Sequence, residues 1–97
     1  MSVEDDILGL DEHDESKIRA RKLELDELRS IMRDESGRRF MYRWLRTTGY
    51  FADGFDRDPC VNARMSGARS VGVLLVNEMM QADIDLYNLM IKEANHD

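Results

Sequence analysis

Apolar positions recur at helical spacing along most of the chain, and strand-like alternation is absent from the sequence. After Ser16, the segment KIRARKLELDELRSIMR places Ile18, Leu25, Leu28 and Met32 on one face of a 3.6-residue helix, with Leu23 and Ile31 widening the stripe. Asp14 or Ser16 is expected to cap its start, because a short side-chain oxygen accepts from the unpaired amides of a first turn. Asp34-Glu35-Ser36-Gly37 reads as a stop followed by a new cap, and a second helix is predicted from about Glu35 to Thr47. It should bury Phe40, Met41, Trp44 and Leu45 and turn Arg38, Arg39, Arg43 and Arg46 outward. Gly49 ends it, since glycine takes the left-handed conformation at low cost. An aromatic loop from Tyr50 to Asp56 follows.

Asp58-Pro59 is the sharpest boundary, a cap residue before a proline whose missing amide costs nothing in a first turn. A third helix is predicted from Pro59 to about Met80, with Val61, Met65, Ala68, Gly72, Leu75 and Met79 inward and Val71 and Leu74 broadening that face. Gly67 and Gly72 each weaken it by about 1 kcal/mol relative to alanine, and such glycines often mark close approach of another backbone. Asp83 should cap a fourth helix from Ile84 to about Ala94, offering Leu86, Tyr87, Leu89 and Met90 for packing. The fold class is therefore all-α: a single small domain of three to four short helices over residues 16–97, behind an acidic N-terminal arm over residues 1–15.

Composition narrows the function classes. A chain of 97 residues fits one domain with a modest core. Its net charge of -6 argues against coating nucleic acid by bulk charge. That total conceals three zones. Residues 1–15 hold seven acids and no base, residues 16–69 hold 13 bases against 8 acids, and residues 70–97 hold one base against five acids. An acidic arm beside a basic middle can fold back on it or engage a basic partner. The lone Cys60 excludes an internal disulfide and any cysteine-rich zinc site. No apolar run is long enough to span a bilayer, and the acidic start is unlike a secretory signal, so the expectation is a soluble protein of a reducing compartment with no membrane partner.

Tests for catalytic chemistry come out negative. His13 and His96 lie in polar stretches near opposite ends, without a serine or cysteine at useful spacing. Cys60 falls in a predicted first helical turn with no base near it in sequence, and reads as a small structural residue. Asp53 to Asp58 mimics a calcium loop, but its sixth position is Asp58 instead of glycine and its twelfth is Arg64. Gly37-Arg38-Arg39 lacks the second glycine and the ending of a phosphate loop. The expectation is a non-enzyme with no catalytic residue, metal or cofactor.

What remains is a stretch rich in arginine and aromatic residues. Arg38, Arg39, Tyr42, Arg43, Arg46, Tyr50, Phe51, Phe55, Arg64 and Arg69 form the candidate partner-binding set. Arginine with aromatic rings is the composition of protein-interface hot spots. Two other readings compete with it. The arginines can pair with neighbouring acids on the surface, or grip phosphates, which would make DNA binding through Arg38, Arg39, Arg43 and Arg46 fall steeply with salt.

Two groups of residues also carry a family resemblance. Gly37-Arg38-Arg39-Phe40, Trp44-Leu45, Gly49-Tyr50-Phe51 and Phe55 form one half of a pattern. Asn62, Gly67-Ala68-Arg69-Ser70-Val71-Gly72, Leu75, Glu78-Met79-Met80, Ala82-Asp83, Tyr87 and Met90 form the other. Over roughly residues 28–94 the chain resembles a family of small proteins of short-tailed phages, named after a Bordetella phage protein. The resemblance implies a virion-associated structural or assembly role, present in several copies and docked on the portal, the head–tail junction or the internal ejection apparatus. Its place would be the virion, and the host cytoplasm during assembly. The alternative is a soluble phage regulator that binds a host or phage protein during infection. No catalytic residue comes with the family. Ala68 stands where the pattern has arginine, which lowers the basic charge at that turn.

Overall fold

A computed structural model describes residues 3–52, 54 and 56–95, with side chains from Asp14 onward. Three helices follow in order, α1 (Val3–Arg33), α2 (Glu35–Thr47) and α3 (Pro59–Asn95), and the described residues contain no strand. The chain is a small all-α domain, as its spacing predicts, although α1 and α3 are long.

α1 begins at Val3 and not at the expected cap near Asp14 or Ser16, so backbone helix runs unbroken across residues 15 and 16. No proline interrupts this stretch, and its first acids suit the positive end of the helix dipole. Asp34 then breaks the helix with extended backbone (φ -89°, ψ 132°), and its carbonyl accepts the Arg38 amide at 2.9 Å to start α2. Gly49 terminates α2 with φ 81°, its amide donating to the Arg46 carbonyl at 3.0 Å. Asp58 caps α3 as predicted, Oδ1 accepting the Cys60 amide at 2.8 Å. Cys60 itself is exposed. The third and fourth predicted helices form one element with a break at Asp83 (φ -169°, ψ 106°). There Oδ1 accepts the amides of Asp85 at 3.0 Å and Leu86 at 3.1 Å, the bonds an N-cap makes.

The core is a single small cluster. Met32 of α1, Leu45 of α2, and Val76, Met79, Tyr87 and Met90 of α3 are buried together, with Leu28, Met41, Leu75, Leu86 and Ile91 packed around them. Several expected core positions lie outside it. Leu23 and Ile31 of α1 and Ala68, Val71, Leu74 and Leu89 of α3 are exposed. With only three helices, each long helix is covered along one narrow stripe, too narrow for the broader faces that the apolar spacing suggested. The molecule measures 57 × 37 × 14 Å, and its thickness is that of one helix packed on another. Its radius of gyration of 18.4 Å exceeds the roughly 12.5 Å of a compact chain this long. Its accessible surface of 7456 Å² likewise exceeds the roughly 5,700 Å² expected for its mass.

The two glycines inside α3 part company here. A Cβ on Gly72 would overlap Thr48 Oγ1 and lie 2.9 Å from Tyr50 Cβ, so this glycine admits the loop after α2. Gly67 has nothing within 4 Å of such a Cβ. Gly67→Ala is therefore expected to stabilise the fold by up to about 1 kcal/mol, read as a higher denaturation midpoint.

Candidate docking surface

The orientation of α2 decides which groups can meet a partner. Its inward positions are Arg38, Met41, Tyr42 and Leu45, a 3-4 spacing with an arginine at one end. Phe40 and Trp44, expected in the core, are instead 50% and 51% exposed. Arg38, expected to face outward, occupies the inward seam with Met41, Tyr42 and Leu45, and this turns Phe40 and Trp44 toward solvent.

Arg38 is 8% exposed, and four of its five guanidinium N–H groups are engaged within the fold. Its Nε and Nη2 donate to the two carboxylate oxygens of Glu93 at 2.6 and 3.1 Å. Nη1 donates to the carbonyls of Met32 and Arg33, both at 2.9 Å. One guanidinium thus caps the end of α1 from α2 and ties both to the end of α3. Its expected outward docking role is corrected, since four of its donors already have partners. The hydrogen bond to Glu93 raises the Arg38 pKa against the opposing effect of burial. Reciprocally, Arg38 holds the Glu93 carboxyl below its ordinary value.

The other candidates fall into three groups. Arg39, Arg43 and Arg46 are exposed on α2. Arg39 lies 3.6 Å from Glu35 in a solvent-exposed ion pair worth little. The Arg43 guanidinium sits 5.5 Å from the centre of the Phe40 ring, and that ring is 6.3 Å from Trp44. Tyr42, Tyr50 and Phe51 form a second, more internal group that joins α2 to the loop. Tyr42 and Phe51 are 5.5 Å apart, and Tyr50 meets Phe51 edge-on at 5.1 Å. Tyr50 also neighbours Tyr87, whose hydroxyl is pushed up by burial and then by Tyr50. Arg64 is exposed near the start of α3, whereas half-buried Arg69 donates to the Gly54 carbonyl and fastens the loop. Phe55 lies outside the described residues.

The surface that assembles is therefore Phe40, Arg43 and Trp44, flanked by Arg39 and Arg46. Two large rings standing half in water beside three cations are poised to lose water to a partner. Sequence reading found the cations and missed the rings. The signal for them was the Arg38, Met41–Tyr42, Leu45 spacing, which points Phe40 and Trp44 away from the core once Arg38 is placed inward. On the other flank of α2, a groove of about 530 Å³ runs between Arg39, Tyr42, Leu89 and Lys92, floored by the Arg38–Glu93 pair. Among the described residues, no helix is long and apolar enough to cross a membrane. Comparison of the chain with protein-family profiles, curated proteins and solved structures finds no match.

Proposed function

We propose that this chain is a non-enzymatic, virion-associated structural or assembly protein of a phage, docking on a larger component at the portal, head–tail junction or internal ejection apparatus. The observation that carries the docking part is the exposed Phe40–Arg43–Trp44 surface on a thin plate with excess accessible area. The resemblance of residues 28–94 to a short-tailed phage family supports the placement on a particle. In this reading Phe40 and Trp44 are the anchors, and Arg39, Arg43 and Arg46 supply orientation and charge-assisted hydrogen bonds to an acidic partner surface.

The test is the protein content of particles purified from the encoding phage. The wild-type chain should be present in fixed proportion to the portal. Phe40→Ala/Trp44→Ala should lower its incorporation at least about 30-fold, as loss of an interface hot spot does. Both rings are half-exposed, so the variant should fold with little loss of helicity. A chain absent from particles, or a variant incorporated as well as wild type, contradicts the proposal.

A further inference from the structure

α1 and α3 are tied together by side-chain bonds from Arg21 onward. Arg21 donates to Glu78 at 2.7 Å and to Gln81 at 2.8 Å, and Arg29 donates to the Ala82 carbonyl at 2.8 Å. Before that contact, residues 14–20 of α1 are exposed throughout. Both contact faces nevertheless continue in register. On α1, Ile18 shares a face with Leu25 and Met32 yet is 65% exposed. On α3, Leu74 and Val71 precede Glu78 by four and seven residues on the same face, and they are 63% and 51% exposed. The apolar faces of both helices thus run on, uncovered, beyond the side-chain ties that begin at Arg21.

Charge indicates what covers them. The first half of α1 holds seven acids between Glu4 and Glu15 and no base. The opposing arm of α3, residues 59–77, holds Arg64 and Arg69 and no acid. At helical rise the first half of α1 spans about 23 Å and residues 59–77 about 28 Å, comparable lengths. Side-by-side pairing of two α1 helices would set acid against acid, whereas pairing α1 with α3 matches opposite charges.

We propose that a second copy of this chain covers these faces, the acidic first half of each α1 lying along residues 59–77 of the other copy's α3. The contact is reciprocal and closes as a two-fold dimer. The molecule's surface exceeds that of a compact chain by roughly 1,700 Å², ample for the roughly 800 Å² per partner of a stable interface. Ile18, Val71 and Leu74 become its apolar centre, and Arg64 fixes its orientation. This interface is separate from the α2 surface, which stays open on both copies.

Sedimentation equilibrium of the full chain at about 1–100 µM should give twice the single-chain mass of 11.3 kDa. Leu74→Glu should weaken the dimer at least about 30-fold with helicity unchanged. Leu23→Glu, on an exposed position of α1 away from these faces, should leave it intact. Arg64→Glu should weaken it, and combination with Asp14→Lys and Glu15→Lys should restore it. A wild-type chain that sediments as a monomer throughout, a Leu74→Glu variant that still dimerises as wild type does, or charge reversals that fail to compensate would each overturn the proposal.

Discussion

Gly37→Ala is expected to destabilise the fold by about 3 kcal/mol, at the upper end of what overpacking costs. α2 starts within a turn of the end of α1, and Gly37 is where the two backbones meet. A Cβ there would overlap the Ile31 carbonyl oxygen, with the carbonyl carbon at 2.9 Å and Ile31 Cγ2 at 3.1 Å. A backbone carbonyl cannot rotate aside as a side chain can, so the turn has to open. Opening it separates Arg38 from the end of α1. The general gain of about 1 kcal/mol for replacing a helical glycine with alanine is overridden. Gly72→Ala should lie in the same direction but be smaller, because its neighbours Thr48 and Tyr50 belong to a loop able to shift. Denaturant midpoints of the three alanine variants should rank Gly67 above wild type, then Gly72, then Gly37. An unchanged midpoint for Gly37→Ala would show that the turn is looser than described.

Loss of the Arg38 clamp is the second large effect expected. Arg38→Met keeps an apolar stem of similar width but ends short of the guanidinium and removes four hydrogen bonds, leaving the Glu93 carboxylate and the Met32 and Arg33 carbonyls without their partner. In this partly buried pair, loss of one partner leaves the other with water as its main replacement. Because the Glu93 side chain is 30% exposed and water can replace part of the loss, about 2–3 kcal/mol is expected. The pair also predicts a pH dependence with a definite sign. Folding depresses the Glu93 pKa, so its contribution is fully present above the unfolded value near 4.5 and fades as pH falls through the lower folded value. Wild-type stability measured by denaturation should therefore drop below about pH 4.5 more steeply than that of Glu93→Gln, which lacks this titration. Parallel curves for the two proteins would remove Arg38–Glu93 from the account of stability.

Much of the fold was legible in the sequence because local signals set the element boundaries. Gly49, Asp58-Pro59 and Asp83 stop or cap helices through their own side chains or backbone freedom, Asp34 breaks the chain with extended backbone, and each acts at its expected place. The start of α1 was not legible, since no single residue marks it and a long acidic stretch reads equally as coil. Burial was harder still. A periodic apolar stripe says which residues could face inward, but how much of the stripe is covered depends on neighbouring helices. The plate supplies too few of them, leaving Ile18, Leu74 and Trp44 in water. Arg38 misled the reading for the opposite reason. Its charge argues for the surface, and only the convergence of three helix ends on one guanidinium explains its burial.

The arginine-rich stretch thus divides by task. Arg38 and Arg69 hold the fold together, while Arg39, Arg43 and Arg46 stand beside Phe40 and Trp44 on a face that the chain does not use for itself. Hydroxyl-radical footprinting resolved by peptide mass compares that face in the isolated chain and in purified particles. Several-fold slower oxidation of Phe40 and Trp44 within the particle, with no such change at an exposed side chain elsewhere, is the result predicted. Equal reactivity of both rings in the two states, or particles that do not contain the chain, would contradict the account.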